Sequence, residues 1–309
     1  MINVLFSARP EAWDKYRKPL LDTFAAERVE VNLATQMDPE TVDWIIYAPN
    51  SGLEDFSPFT RLQGVQNLWA GVEKIVGNPT LKVPLARMVD PGMTEGMIEW
   101  VTGHVLRNHL GMDVDIKRTD AEWQPHIAPL ARDRPVAMLG LGALGSACAQ
   151  ALSVLNFDVH GWSRSAKQID GITCHHGDSG LSEVLSVAQI VVMLLPSTPA
   201  TENLLNADRL AMLPRGAMIV NPGRGPLIDD EALIAALDSG QIGHATLDVF
   251  RIEPLPQEHP FWAHPNVTVT PHIASETRVA SAAVLAARNI ARASRGEQMH
   301  NTVDYAQGY

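Results

Sequence analysis

Residues 134–165 read RPVAMLGLGALGSACAQALSVLNFDVHGWSRS. An apolar run, Val136 to Leu139, ends in Gly140-Leu141-Gly142-Ala143-Leu144-Gly145. A helical pattern follows through Leu155, and a second apolar run leads into Trp162-Ser163-Arg164. Strand, glycine loop, helix and strand form the context in which G-x-G-x-x-G signifies dinucleotide binding; outside it, the pattern is a common start for a small-residue helix. Gly140 allows the tight turn, Gly142 lets backbone approach a pyrophosphate, and Gly145 lets the helix lie close on the sheet. The helix start, with Ala143 and Leu144, offers free N–H groups and a partial positive charge to phosphates. The stretch predicts an α/β domain with a parallel sheet and a bound dinucleotide.

The end of the second strand distinguishes the two nicotinamide dinucleotides. An NAD site places Asp or Glu there to accept from the ribose 2′-OH. This chain has Arg164 between Ser163 and Ser165, with Lys167 beyond. A guanidinium binds a 2′-phosphate bidentately. The expected cofactor is NADPH/NADP+, with NADH/NAD+ the alternative if Arg164 is only a solvated loop charge.

A chain of 309 residues has two domains as its prior. At 46% hydrophobic and 19% charged residues it reads as globular. The net charge of −11 argues against general nucleic-acid binding. An acidic protein that handles anions must concentrate positive charge locally, which raises the weight of individual arginines. The two cysteines, Cys148 and Cys174, form no C-x-x-C and no disulfide framework. The start MINVLFSARPEAW lacks a basic segment followed by a long apolar core. No run reaches the roughly 18 apolar residues of a membrane span. A cytoplasmic setting is expected, with no membrane or nucleic-acid partner.

Upstream of the glycine loop, strands are expected at 2–7, 29–33, 42–48, 62–68 and 83–88. Trp13, Tyr16, Leu20, Leu21 and Phe24 recur at helical spacing over Pro10–Ala26. This is a separate parallel α/β unit. Residues 93–110 form a second strongly helical stretch, and 111–134, with Trp123, reads as a long irregular connection. Downstream, strands are expected at 190–195, 217–220, 244–250 and 266–270. Helices are expected from Asp229/Asp230 to Gly240 and from Ala274 to Arg295. His175-His176 reads as a solvated loop pair, and no metal-ligand set stands out.

Gly140–Gly145, Ser163/Arg164, Pro196, Arg224, Asp248 and His272 all fall at or just after the C-terminal ends of expected strands. That edge of a parallel sheet is where ligands bind. Reduction of a 2-keto acid needs a hydride, a proton on the carbonyl oxygen and a cation for the carboxylate. His272 is the candidate acid, since imidazole titrates near neutrality. Glu253 would accept its other N–H, and Arg224 would hold the carboxylate and polarise the carbonyl. Each alone also has a bland reading: a turn histidine after a proline, a solvated loop acid before Pro254, a loop charge between glycines. Among 11 histidines, position at the sheet edge is what favours His272.

The motif series G-L-G-A-L-G, L-P-S-T-P-A-T, N-P-G-R-G, L-D-V-F, E-P-L-P and T-P-H-I-A-S resembles the D-isomer-specific 2-hydroxyacid dehydrogenases over nearly the whole chain. W-S-R-S, E-P-L-P, the W-Q-P loop and the ending V-D-x-A-x-G-Y resemble the glyoxylate/hydroxypyruvate reductase A branch. The resemblance implies a Rossmann-like nucleotide-binding domain, residues 92–276, inserted into a flavodoxin-like substrate domain, residues 1–91 plus 277–309, with the active site in the cleft. It implies a catalytic trio of Arg224, Glu253 and His272. It implies that amides of Ala70, Gly71 and Val72 hold the substrate carboxylate, that Tyr47 lines the substrate pocket where close relatives carry Trp, that Asp248 lies near the nicotinamide carboxamide, and that Pro196 lines the nucleotide site. It further implies a homodimer through the 93–110 helix, with Trp123 in a loop that reaches a partner's pocket or packs in the dimer core. The implied activity is NADPH-dependent reduction of glyoxylate and hydroxypyruvate to glycolate and D-glycerate. The alternatives are an NAD-linked D-2-hydroxyacid dehydrogenase acting on a larger substrate, and a non-catalytic dinucleotide-sensing protein of the same fold. Pro222 stands where relatives carry a residue with an N–H, which changes the turn before Arg224.

Overall fold

A computed structural model of the chain describes residues 1–306 and Gly308. Gln307 and Tyr309, two positions of the terminal V-D-x-A-x-G-Y motif, lie outside the described residues. The chain divides into two compact units, residues 1–93 with 277–309, and residues 94–276.

The first unit contains β1 (Ile2–Ser7), α1 (Pro10–Ala26), β2 (Val31–Ala34), β3 (Trp44–Tyr47), β4 (Gly64–Asn67) and β5 (Leu85–Ala86). All five strands are parallel, in the order β2-β1-β3-β4-β5. This is the 2-1-3-4-5 order of flavodoxin-like sheets. The strands read as continuous apolar runs because both faces are covered. Along β1, Val4 and Phe6 pack on one side with Leu20 and Phe24 of α1, while Leu5 faces Ile45 and Val65 on the other.

The chain leaves this sheet through α2 (Pro91–Leu110) and α3 (Met112–Ile116). The second unit then runs β6 (Pro135–Leu139), α4 (Ala143–Val154), β7 (Asp158–Ser163), β8 (Thr173–His176), α5 (Gly177–Val187), β9 (Ile190–Met193), α6 (Ala207–Met212), β10 (Ala217–Asn221), α7 (Asp230–Asp238), β11 (Ile242–Leu247) and β12 (Val267–Val269). Its seven parallel strands are ordered β12-β11-β10-β9-β6-β7-β8. Numbered within the unit, the sheet is 3-2-1-4-5-6 with a seventh strand added, the doubly wound dinucleotide-binding order. Strand order reverses between β6 and β9, and the glycine loop follows β6 at that switch point. The chain returns to the first unit as α8 (Val279–Ser294), which lays Ala282, Ala283, Ala286 and Ala287 against the core shared with α1.

Three local expectations are corrected. Residues 111–134 are not wholly irregular: α3 forms directly after α2, and the Arg107 guanidinium holds Asp113 bidentately at 2.7 and 2.9 Å. His175 and His176 lie on β8 rather than in a loop, and His175 meets His160 of β7 at 3.2 Å. The last helix starts at Val279 rather than Ala274; the Ile273 and Ala274 N–H groups before it bond the Asp248 carboxylate.

Candidate active site

The glycine loop has the shape its letters demand. Gly140 adopts φ +106°, and a Cβ there would lie 2.5 Å from the Leu194 carbonyl oxygen. A Cβ on Gly145 would lie 1.8 Å from the Gly140 oxygen, so only glycine permits this helix to start so close to the sheet. Gly142 is extended, and a Cβ on it would meet nothing within 4 Å. The N-terminus of α4 has no side-chain cap, which leaves N–H groups and the positive dipole end for a phosphate. The Lys167 ammonium donates to the Leu141 carbonyl and so joins the same loop. Ser163 ends β7, next to β6, and its hydroxyl donates to the Ser165 carbonyl at 2.8 Å. Arg164 is exposed at that strand end. Pro196 follows β9, and its carbonyl accepts from the Thr201 hydroxyl at 2.7 Å. These features fit a dinucleotide lying across the strand ends.

Three further loops at the same edge carry the candidate trio. Arg224 follows β10 in a turn that Asn221 spans, accepting from Gly223 N–H at 3.1 Å and donating to the Arg224 carbonyl at 3.0 Å. The turn therefore forms despite Pro222 lacking an N–H. Gly225 packs backbone against backbone on Phe250, where a Cβ would lie 2.0 Å from the Phe250 carbonyl carbon. That close approach sets the Arg224 turn beside the loop of Glu253. Glu253 accepts from Phe250 N–H at 2.9 Å through one oxygen and faces His272 Nδ1 at 2.8 Å through the other.

The electrostatics of this pair are reciprocal. The hydrogen bond to Glu253 raises the His272 pKa above its ordinary value; burial opposes it, the Glu253 charge adds to it, Arg224 opposes and Asp248 adds. Burial alone would raise the Glu253 carboxyl, but the bonds from His272 and Phe250 N–H and the charges of His272 and Arg224 outweigh it and hold it low. The arrangement favours imidazolium beside carboxylate, with Nε2 the nitrogen free of Glu253.

His272 sits in the left-handed region at φ +54°, a conformation that costs a non-glycine residue roughly 1–2 kcal/mol. Asp248 explains why it persists. This fully buried carboxylate accepts from the Thr270 hydroxyl at 2.6 Å, Ile273 N–H at 2.9 Å and Ala274 N–H at 2.9 Å. The Asp248 carbonyl accepts from His272 N–H at 2.9 Å. Both carboxylate oxygens are thus committed to the histidine's own turn.

In the first unit, Tyr47 ends β3, nearly buried and edge-on to Phe56 at 5.8 Å. Burial, with the Glu54 charge, pushes its hydroxyl pKa up. Ala70, Gly71 and Val72 follow β4, the neighbouring strand end. Sequence reading missed the residues that shape these loops: Asn221, Thr270 and, beside the 70–72 loop, Asn67. Among the described residues no cluster of three or more potential metal ligands occurs, and no helix is long and apolar enough to cross a membrane.

Residues 102–274 match the family model for the D-isomer specific 2-hydroxyacid dehydrogenase NAD binding domain. The chain belongs to the D-isomer specific 2-hydroxyacid dehydrogenase family. As a family member it is an NAD(P)-dependent oxidoreductase of 2-hydroxy and 2-keto acids. It is 40% identical over 258 residues to glyoxylate/hydroxypyruvate reductase A of Serratia proteamaculans (strain 568), covering 81% of this chain and 82% of that one. Among solved structures, it is similar to the D-isomer specific 2-hydroxyacid dehydrogenase of Xanthobacter autotrophicus Py2 in complex with NADPH and MES, at 39% identity, TM-score 0.92, and coverage of 100% and 99% of the two chains. It is also similar to the NADPH-dependent glyoxylate/hydroxypyruvate reductase of Sinorhizobium meliloti in complex with NADP and sulfate, at 33% identity, TM-score 0.83, and coverage of 100% and 99%.

Proposed function

We propose that this dehydrogenase uses NADPH to reduce small 2-keto acids, glyoxylate and hydroxypyruvate, to glycolate and D-glycerate. The observation that carries the reading is the Glu253–His272 pair, at 2.8 Å, on the sheet edge that also bears the glycine loop and Arg224. In this assignment the second unit is the nucleotide domain and the first the substrate domain. The residues of Gly140–Gly145 and Pro196 hold the dinucleotide, and Ser163, Arg164, Ser165 and Lys167 select a 2′-phosphate. When bound, the reduced nicotinamide supplies the hydride.

The protein's own residues do the rest. The amides of Ala70, Gly71 and Val72 bind the substrate carboxylate, and Tyr47 limits the size of the side chain accepted. Arg224 pairs with the carboxylate and draws charge onto the keto oxygen. His272, its pKa raised by the bond to Glu253, gives its Nε2 proton to that oxygen as the alkoxide develops. Glu253 keeps the imidazolium charged and fixes which nitrogen faces substrate. Asp248 holds the turn in which His272 stands.

The test is His272→Ala. Turnover should fall by roughly 10²–10⁴-fold, while NADPH binding, read by nucleotide fluorescence, stays as in the parent. Near-normal turnover would remove His272 from the mechanism.

We also propose a homodimer. Leu110, Met112, Val114, Ile116, Trp123 and Ile127 are exposed large apolar side chains along α2, α3 and the following segment, with Trp123 97% and Ile127 94% exposed. So many apolar side chains along one surface segment suit a protein interface.

A further inference from the structure

We propose that Asn67 is the positioning residue of the substrate-carboxylate loop, setting the direction of the amides that recognise the acid group. The inference rests on the reading that residues 70–72 bind a carboxylate.

Asn67 is the last residue of β4, fully buried, and opposite Tyr47 in the register. Its side-chain Nδ2 donates to the Trp69 carbonyl at 2.8 Å and to the Gly71 carbonyl at 2.9 Å. A trans peptide points its C=O and the following N–H in opposite directions. Turning the carbonyls of Trp69 and Gly71 onto Asn67 therefore turns the N–H groups of Ala70 and Val72 away from it. Among the described residues, the N–H groups of Ala70, Gly71 and Val72 donate to no protein acceptor. One side-chain amide thus aims two peptide groups at once, and two parallel donors suit the two oxygens of a carboxylate.

A second observation supports a dedicated role. The Asn67 Oδ1 is buried and has no hydrogen-bond partner among the described residues. A buried acceptor without a partner is unfavourable, so the amide is held here by what its NH₂ group does. Of the two carbonyls it holds, that of Trp69 has other support, from Met88 N–H at 3.1 Å. The Gly71 carbonyl depends on Asn67 more heavily. Aspartate at this position has the same shape but, ionised, only accepts. It would repel both carbonyls and swing the loop amides away from their ligand.

The experiment compares the parent with Asn67→Asp and Asn67→Ser. It measures KM and kcat for glyoxylate, competitive inhibition by oxalate, and the Kd for NADPH by fluorescence. N67D should raise the glyoxylate KM and the oxalate Ki together by roughly tenfold or more, with a smaller change in kcat and an unchanged NADPH Kd. N67S, whose hydroxyl reaches at most one carbonyl, should give a smaller parallel rise. KM and Ki within about twofold of the parent in both variants would overturn the proposal. So would an NADPH Kd that rises as far as KM, or failure of both variants to fold, either of which assigns Asn67 to the core. If only N67D fails to fold, N67S decides. A parent enzyme that neither reduces glyoxylate nor responds to oxalate fails the underlying reading first, before any variant is compared.

Discussion

His272 occupies a left-handed backbone position and depends on two carboxylates with different tasks. Glu253 acts on the ring and Asp248 on the turn. The first gives a pH prediction. The raised pKa keeps His272 protonated to higher pH than a free imidazole, and in the proposed mechanism keto-acid reduction consumes that proton. Activity should therefore be present below the raised pKa and lost as pH rises through it. Glu253→Gln removes the carboxylate charge and leaves at most a weaker, neutral hydrogen bond to Nδ1, so the alkaline limb of kcat/KM should move to lower pH; an unmoved limb contradicts the assignment. The second gives a stability prediction. Thr270→Val deletes a hydroxyl bonded to a buried carboxylate, a change worth about 1.5–3 kcal/mol. Urea unfolding should show this loss, and turnover should fall further than NADPH binding. Arg224 and His272 stood out in the sequence because each follows an expected strand end; grouping them with Glu253 as a catalytic trio came from the family resemblance and is proposed here. Asn67, Asn221 and Thr270 were not, since their roles depend on where a short polar side chain turns within a loop.

The long elements follow the apolar period, and the short ones do not. The spacing of Tyr16, Leu20 and Phe24 marks α1, and the structure ends it where the period ends. β8 escapes because Thr173–His176 has no apolar run and pairs only with β7 at the sheet edge. α8 begins at Val279, later than the helical period suggests, and Ile273 and Ala274 before it belong to the turn that bonds the Asp248 carboxylate. Strand β11 also carries a pH-sensitive element. Burial pushes the His244 pKa down to about 4, with the charges of Asp113, Arg107, Lys117 and His104 as smaller influences, and its Nε2 meets the Thr268 hydroxyl of β12 at 2.9 Å. The folded state then resists protonation that the unfolded chain accepts near pH 6.5. Stability from this group is full above that value and falls as pH drops toward 4, by on the order of 3 kcal/mol. His244→Gln should flatten the decline in melting temperature between pH 7 and pH 4; an unchanged slope would exclude His244 as its source.

The whole molecule is two parallel-sheet units, each with its candidate site residues in loops after the strand ends. The sequence showed two such units through alternation, and the glycine loop marked the candidate dinucleotide site. It could not show strand order, which fixes that the loop lies at the reversal between β6 and β9. For the assembly, light scattering should give a dimer, and Ile127→Lys with Trp123→Lys should weaken it. A monomeric parent would contradict that proposal. In the proposed assignment cofactor choice turns on Arg164, and substrate choice on the loops after β3 and β4. Both are tested by initial rates on a panel of 2-keto acids of increasing side-chain size, each with NADPH and with NADH. The highest kcat/KM is expected for glyoxylate and hydroxypyruvate with NADPH. A wide margin in favour of NADH, or turnover confined to larger keto acids, would contradict it.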